Sequence, residues 1–120
     1  QETMSLRVLV AEDHHRLAEL CVEFLSALGH NPVGPVPSMA KARALLAAGE
    51  VDAGCLDVRL LDGFVFPLAE EFRQRQIPFV FCTGFGEDDV FPAEFRDVPR
   101  LEKPYSQSEM GEALQRLFDA

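Results

Sequence analysis

The sequence predicts an α/β fold in which a doubly wound parallel sheet of five strands has helices on both faces. Two observations carry this prediction. Short apolar runs alternate with longer segments whose apolar residues recur every three or four positions, as is typical of βα units. The 120 residues contain no internal repeat and are enough to bury one core, so a single domain is predicted.

The first half of the chain has the patterns of two strands and two helices. Residues 6–11 are an apolar run, and a helix is predicted over about 14–28 with its apolar residues on one face. Residues 31–37 contain three prolines, which fit only a short strand at the edge of a sheet. Ser38 is a typical N-cap, so the second helix is predicted from there through Ala48.

The second half continues the alternation. Strands are predicted over 53–57 and 78–83, with a helix over about 64–76 between them. Pro67 must lie in the first turn of that helix, where its missing N–H leaves no helical hydrogen bond unmade. The last strand is predicted over 99–102.

The segment 84–98 has the length of a crossover helix but not its composition. Two glycines near its start and a proline in its middle predict a helix that is short, broken or frayed. The final helix is predicted to begin at Ser106 or Ser108. Together these elements predict a flavodoxin-like doubly wound sheet, strand order 2-1-3-4-5, with a weak or disordered fourth helix.

Charge and length exclude several classes of function. The net charge of −9 and the pI near 4.7 argue against nucleic acid and anionic membranes as partners. No apolar run is long enough to span a membrane, and no signal peptide is recognisable, so the protein is predicted to be cytoplasmic. Met4 is the expected native start of a domain over 4–120, and residues 1–3 are predicted to be a remnant of cloning.

The cysteines and histidines give no pattern of a zinc site. The three cysteines lie in apolar segments and are predicted to be buried free thiols in a reducing compartment: Cys21, Cys55 and Cys82. His14 is placed either at the rim of a site formed by its acidic neighbours or, as we favour, on the surface of the first helical turn. His15 and His30 are predicted to be exposed.

Charged and polar side chains follow four of the predicted strands. They are Glu12, Asp13, Asp57, Thr83 and Lys103. Each alone has an ordinary structural interpretation, such as a helix cap or a turn. In a parallel sheet, however, the carboxyl ends of the strands share one edge, where ligands bind. The sequence therefore predicts one crevice that holds three carboxylates, a hydroxyl and an ammonium group.

This set of groups suits a divalent cation and a phosphoryl group on a carboxylate. Carboxylates at 12, 13 and 57 are the hard oxygen ligands that Mg²⁺ prefers. Phosphoryl transfer depends on positioning and on neutralising the charge of the phosphoryl oxygens. The ammonium group of Lys103 is suited to a charge-assisted hydrogen bond with one of those oxygens, and Thr83 to a bond with another.

The same residues and their contexts resemble the receiver domains of two-component response regulators over nearly the whole chain. The matching pieces are VLVAED, CLDVRL, FCTG and EKPY. Within the family, the run IPFVFCTGF resembles the motif that gives the FAT GUY response regulators their name, with Cys82 where alanine is usual. Ordinary receivers have a proline where this chain has Leu61, and often an aromatic residue where it has Leu101.

The resemblance implies a function for the crevice. Asp57 is the expected phosphoacceptor. Its phosphoryl group is expected to come from a histidine kinase or a histidine phosphotransfer protein, and the downstream partner is unknown. Mg²⁺ is the expected cofactor, and the backbone carbonyl of Arg59 is implied as a further ligand. The chain is not expected to be an enzyme beyond its own Mg²⁺-dependent phosphorylation and dephosphorylation. The Lys103–Pro104 peptide bond is expected to be cis.

The absence of an aromatic residue at position 101 puts the usual receiver switch in doubt. We therefore hypothesise that the segment 84–98 is mobile without phosphate and becomes ordered when Thr83 moves toward the phosphoryl group. In one interpretation an apolar partner surface is formed by Tyr105 and the phenylalanines of this segment, Phe85, Phe91 and Phe95. In the other, which we favour for one or two of them, the phenylalanines pack over the sheet.

Two alternatives compete with a phosphorylated receiver. A pseudo-receiver would bind partners without phosphorylation, although the five-residue set is complete. An enzyme with the same fold would be a phosphatase or a flavin carrier. The phosphatase needs a second aspartate at the position of Arg59, and the flavin carrier needs a phosphate-binding loop where Glu12 and Asp13 would repel phosphate.

Overall fold

A computed structural model of the chain describes residues 5–84 and 87–119. Its main feature is a parallel sheet of five strands with α-helices on both faces. The elements are β1 (Arg7–Ala11), α1 (His15–Ala27), β2 (Asn31–Val36), α2 (Met39–Ala47), β3 (Ala53–Asp57), β4 (Arg59–Leu60), β5 (Gly63–Phe64), α3 (Phe66–Gln74), β6 (Phe79–Thr83), β7 (Arg100–Glu102) and α4 (Gln107–Phe118).

The order of strands in the sheet is β2-β1-β3-β6-β7. Strands β4 and β5 form a separate two-stranded hairpin, so the five strands of the main sheet have the predicted order 2-1-3-4-5. All neighbours in the main sheet are parallel. The order reverses between β1 and β3, and the carboxyl ends of these two strands therefore flank a crevice at the point where ligands bind in such sheets.

Side-chain caps fix three of the helix starts. Ser38 accepts a hydrogen bond from the Lys41 amide at 3.2 Å and caps α2 as predicted. Of the two serines proposed for α4, Ser106 is the cap, in a reciprocal capping box with Glu109. The cap of α1 is His14, whose Nδ1 accepts from the Leu17 amide. The acidic pair before it is therefore not used to cap the helix.

The predicted start of α3 at residue 64 is wrong. Gly63 and Phe64 pair with Leu60 and Arg59 in the β4–β5 hairpin, and the helix begins at Phe66. Pro67 lies in its first turn, as predicted. The sequence signal at this hairpin is Gly63, which directly follows the loop residues Leu61 and Asp62 and has a φ of +126° that favours glycine.

The hairpin is bound to the start of α2. Asp62 Oδ1 accepts a hydrogen bond from the Met39 amide at 2.8 Å, and its Oδ2 accepts from the Ala40 amide at 3.2 Å. These amides are two of the donors that a helix leaves without partners at its N-terminus. The Leu61 amide also donates to the Pro37 carbonyl at 3.1 Å. The loop after β3 is thus attached to a second helix.

In the described part of the segment 84–98, two short 3₁₀ turns take the place of a helix, at Asp88–Val90 and Ala93–Phe95. The prediction of a weak fourth helix is confirmed. Phe91 and Phe95 are buried in the core and pack over the sheet. Phe85 lies outside the described residues.

The core has one cluster on each face of the sheet. One cluster packs under α2, α3 and the 3₁₀ turns, and the other packs under α1 and α4. All three cysteines are buried and free, as predicted. His30 is half-buried rather than exposed, because its Nδ1 accepts from the Leu6 amide at 3.1 Å. Among the described residues, no helix is long and apolar enough to cross a membrane.

Candidate functional site

The strand register brings the predicted site residues to one edge of the sheet. Ala11 pairs with Leu56, so Glu12 and Asp57 follow neighbouring positions on β1 and β3. Asp57 pairs with Cys82 on β6, directly before Thr83. Thr83 in turn pairs with Glu102, directly before Lys103. Since the strands are parallel, all these positions lie at their carboxyl ends.

Lys103 joins two of the carboxylates. Its Nζ lies 2.7 Å from Asp57 Oδ1 and 2.9 Å from Glu12 Oε1. The Lys103 side chain is 17% exposed, whereas those of Glu12 and Asp57 are 5% and 6% exposed. Removal of two carboxylates from water without a cation is unfavourable, so this ion pair is what permits their burial.

Glu12 is also held by its local backbone. Its amide donates to the Val36 carbonyl on β2 at 2.9 Å, which fixes the turn after β1. Its Oε2 accepts from the His14 amide at 3.1 Å, while its Oε1 accepts from Lys103. His14 itself is exposed and serves as the cap of α1, so the favoured interpretation of a surface histidine is confirmed, one residue before the helix.

Three carboxylates form a candidate cation site. Glu12, Asp13 and Asp57 each place one carboxylate oxygen within 4.8 Å of the others. Glu12 and Asp57 are buried, and Asp13 is exposed, so the cluster opens to solvent on one side. Mg²⁺ binds through a few carboxylates and keeps several waters, and this half-open set of oxygens fits that requirement. The position of the Arg59 carbonyl as a further ligand stays a prediction.

The surroundings shift the pKa values of Asp57 and Lys103 at the centre of the site. Burial raises the pKa of the Asp57 carboxyl to about 8, and the charge of Glu12 adds to the rise, while the hydrogen bond from Lys103 opposes it. Burial alone would lower the pKa of Lys103, but its hydrogen bonds to Asp57 and Glu12 outweigh this effect and raise it. Lys103 is therefore the permanent cation of the site.

Thr83 and Gly84 lie at the carboxyl end of β6, next to the end of β3 that carries Asp57. Thr83 is 4% exposed, and its carbonyl accepts from the Lys103 amide at 2.8 Å, which ties β6 to β7 at the site. The Gly84 amide donates to Glu87 Oε1 at 2.6 Å. Glu87 was not among the predicted site residues. Its only sequence signal is the three-residue spacing from Gly84, which is the spacing of a capping box.

Other residues named from the sequence lie around the rim. The Arg59 guanidinium lies over the Phe64 ring, 4.5 Å from its centroid, and is exposed. The Lys103–Pro104 peptide bond is cis, as expected. Leu101, at the position where an aromatic residue is common in receivers, is buried in the core cluster under α1 and α4.

Of the two alternatives for Tyr105 and the phenylalanines of the segment 84–98, packing over the sheet is confirmed for Phe91 and Phe95, and a surface shared with Tyr105 is not found among the described residues. Tyr105 packs against the cluster under α1 and α4, with its ring 6.0 Å from that of Phe24 on α1. Phe91 and Phe95 belong to the other core cluster. The two groups are thus separated by the sheet.

Comparison with solved structures gives several matches over nearly the whole chain. SdrG from Sphingomonas melonis Fr1 is 38% identical, with a TM-score of 0.86 over 99% of this chain and 100% of that chain. The BeF3-activated conformation of SdrG matches with a TM-score of 0.80, over 94% of this chain and 96% of that chain.

More distant structures share the fold. The response regulator REC domain of PhyR from Erythrobacter litoralis is 20% identical, with a TM-score of 0.81 over 97% of this chain and 95% of its own. The receiver domain of the sensor histidine kinase PA1611 from Pseudomonas aeruginosa PAO1 is 22% identical, with a TM-score of 0.82 over 95% of this chain and 98% of its own. That structure holds a magnesium ion in its active site cleft. No family model and no curated protein sequence matches the chain.

Proposed function

Since this chain belongs to the receiver domains of response regulators, we propose that it accepts a phosphoryl group on Asp57 and signals through protein contacts. The observation that carries the proposal is the arrangement of Asp57, whose Oδ1 lies 2.7 Å from Lys103 Nζ beside the carboxylates of Glu12 and Asp13. A structural ion pair would need only one carboxylate. The three carboxylates exceed what Lys103 can neutralise, and the excess negative charge favours a divalent cation.

The chemistry is the transfer of a phosphoryl group from a phosphohistidine to a carboxylate. The bond from phosphorus to the imidazole nitrogen breaks, a bond from phosphorus to an Asp57 oxygen forms, and the freed imidazole takes a proton from solvent. Lys103 orients the carboxylate and neutralises part of the charge on the phosphoryl oxygens. Thr83 is adjacent on β6 and is suited to donate its hydroxyl to one of these oxygens.

Glu12, Asp13 and Asp57 would hold Mg²⁺, with the Arg59 carbonyl as an expected further ligand, and the ion would neutralise charge on the phosphoryl oxygens. The donor would be a histidine kinase or a histidine phosphotransfer protein, and the readout a contact with a downstream protein. The chain would act only on its own phosphorylation state. We expect this in the cytoplasm, where the buried thiols remain reduced.

Intact-mass measurement tests the proposal directly. Wild type, Asp57→Asn and Asp89→Asn are incubated with a small-molecule phosphodonor, with and without Mg²⁺. Asp89 is an exposed carboxylate of the segment 87–98 and serves as the matched control. We expect one phosphoryl adduct on wild type and Asp89→Asn, only with Mg²⁺, and none on Asp57→Asn.

Two other results would contradict the proposal. An adduct on Asp57→Asn would mean that another side chain is the acceptor. No adduct on wild type, together with no binding of Mg²⁺ by titration, would favour a pseudo-receiver that binds its partners without phosphorylation.

A further inference from the structure

The backbone amide of Gly84 is already occupied by an internal carboxylate. Glu87 Oε1 accepts its hydrogen bond at 2.6 Å, and the Glu87 amide donates back to the Gly84 carbonyl at 3.4 Å. Gly84 directly follows Thr83 at the carboxyl end of β6, and both Gly84 and Glu87 are half-buried. A bond of this length to an ionised acceptor is among the stronger hydrogen bonds in proteins.

The direction of this amide follows from the peptide that precedes it. The Thr83 carbonyl accepts from the Lys103 amide, so it points toward β7. Among the described residues, the cis peptide bonds precede Pro35 and Pro104, and the Thr83–Gly84 peptide is trans. In a trans peptide the N–H points away from the carbonyl. The Gly84 N–H therefore points to the β3 side, on which Asp57 ends.

A phosphoryl group on Asp57 would bring new acceptors to the same side. Its oxygens carry negative charge and accept hydrogen bonds from N–H groups. The Gly84 amide is such a donor, fixed at the end of the adjacent strand. One N–H group cannot donate a strong hydrogen bond to two anions at the same time. The Glu87 carboxylate and the phosphoryl oxygens would also repel each other.

We infer that the Glu87 carboxylate is an internal competitor of the phosphoryl group for the Gly84 amide and is displaced when Asp57 is phosphorylated. This inference rests on the proposed function of Asp57. Glu87 would then control the affinity of the site for the phosphoryl group. It would also control the structural response of the 3₁₀ turn that follows it.

The position of Glu87 provides a route for the signal. It directly precedes the 3₁₀ turn Asp88–Val90, whose Val90 amide donates to the Glu87 carbonyl at 3.4 Å. Beyond that turn, Phe91 and Phe95 are anchored in the core. Release of Glu87 would therefore alter the turn Asp88–Val90 and leave Phe91 and Phe95 in place.

A purely structural role makes the opposite prediction. If Glu87 only capped the turn, its bond would hold Gly84 in position for the phosphoryl group. Loss of the bond would then leave phosphoryl binding unchanged or weaken it. If Glu87 competes, loss of the bond strengthens phosphoryl binding.

The test is a titration with beryllofluoride and Mg²⁺, a tetrahedral mimic of a phosphoryl group on a carboxylate, followed at the Gly84 amide by NMR. The variants are Glu87→Ala, Glu87→Asp and Asp89→Asn. Glu87→Asp keeps the charge and shortens the side chain, whereas Asp89→Asn removes a charge from the same segment without touching Gly84.

We expect both Glu87 variants to bind the mimic at least about tenfold more tightly than wild type, since a charge-assisted hydrogen bond of about 1.5 kcal/mol no longer has to be broken. Asp89→Asn should bind like wild type. In the free protein, the Gly84 amide signal should move in both Glu87 variants and not in Asp89→Asn.

Other results overturn the inference in distinguishable ways. If Glu87→Asp bound the mimic like wild type, and Glu87→Ala and Asp89→Asn both bound it more tightly, the loss of a negative charge would explain the result. Competition for the Gly84 amide would then be excluded. Weaker or unchanged binding in both Glu87 variants would leave only a structural cap. If wild type does not bind the mimic and Asp57→Asn behaves identically, the proposed function fails, and the inference fails with it.

Discussion

Lys103 forms ion pairs with two buried carboxylates at once, and this decides how the site behaves without a metal ion. With Glu12 and Asp57 both within 3 Å of Nζ, one positive charge faces two negative ones. The pKa of Asp57 rises to about 8 because the pair is buried and the compensation is incomplete. The metal-free site thus holds a proton that a divalent cation would have to displace.

The binding of Mg²⁺ should therefore release protons near neutral pH. Below the pKa of about 8, Asp57 is protonated, so each unit of rising pH should increase the apparent Mg²⁺ affinity by up to about tenfold, until the dependence flattens above the pKa. Calorimetry in buffers of different ionisation enthalpy would measure the released proton.

The control for this linkage is Asp57→Asn, which has no proton to release at that position. It should bind Mg²⁺ more weakly and with a shallow dependence on pH. An affinity of wild type that is the same at pH 6 and pH 8 would contradict the raised pKa.

Residues that follow strands could be predicted from the sequence, whereas residues that meet through turns could not. Once the strands were placed, the edge they share brought Asp57 and Lys103 together, 46 positions apart. Glu87 and Asp62 each bind backbone amides whose positions depend on the path of a loop. That path follows from tertiary packing, and no periodicity in the sequence records it.

Among the described residues, the segment 87–98 has only the backbone hydrogen bonds of its short turns and is held mainly by aromatic contacts. The Phe91 and Phe95 rings each lie within 6 Å of the Phe66 ring. On their outer sides, the Arg100 guanidinium lies 3.8 Å from the Phe91 centroid, and that of Arg73 lies 4.5 Å from the Phe95 centroid. Packing of phenylalanines over the sheet is one of the two alternatives from the sequence, but the prolines and glycines that predict a poor helix say nothing of which rings and guanidinium groups meet.

Truncation of Phe95 should therefore be as costly as a core mutation. Phe95 is 2% exposed, and Phe95→Ala should lower the free energy of unfolding by about 3–5 kcal/mol. Chemical denaturation would measure this. Phe118→Ala is the matched control, since that side chain is 41% exposed and its loss should cost less than about 1 kcal/mol. Equal small losses in both variants would show that the segment is not part of the core.

Hydrogen exchange should distinguish two responses of this segment to beryllofluoride. Release of Glu87 predicts faster exchange at residues 87–90 and no change at 93–98, because the Phe95 anchor remains. The hypothesis that the whole segment becomes ordered predicts slower exchange throughout. Identical exchange with and without the mimic would contradict both.

In the molecule as a whole, the carboxylates of the site add to the repulsion within a protein that already has a negative net charge. The net charge is −9, and three of the carboxylates lie within 4.8 Å of one another. Mutual repulsion within such a cluster lowers the stability of the metal-free protein. The remainder of the fold needs no cation, because two apolar clusters cover both faces of the sheet.

Asp13→Asn should therefore stabilise the metal-free protein and weaken its response to Mg²⁺. Removal of one of the clustered charges should raise the melting temperature by about 3 °C. Saturating Mg²⁺ should stabilise wild type further, by mass action, and this variant much less. Asp89→Asn, an exposed acid outside the cluster, should keep the full response to Mg²⁺. A lower melting temperature for metal-free Asp13→Asn would contradict the expectation.

The attachment of Asp62 to α2 divides the crevice into two halves of different rigidity. On the β3 side, the loop after Asp57 shares its hydrogen bonds with the first turn of α2, so a shift of this loop would require the helix to move with it. On the β6 side, the Gly84 amide is held by a single carboxylate, that of Glu87, directly before a 3₁₀ turn. A change at Asp57 would thus be transmitted in one direction, away from α2 and toward the β6–β7 edge of the sheet, where Phe91 packs on the same face as α2. A partner that reads the state of the site would gain most by binding there.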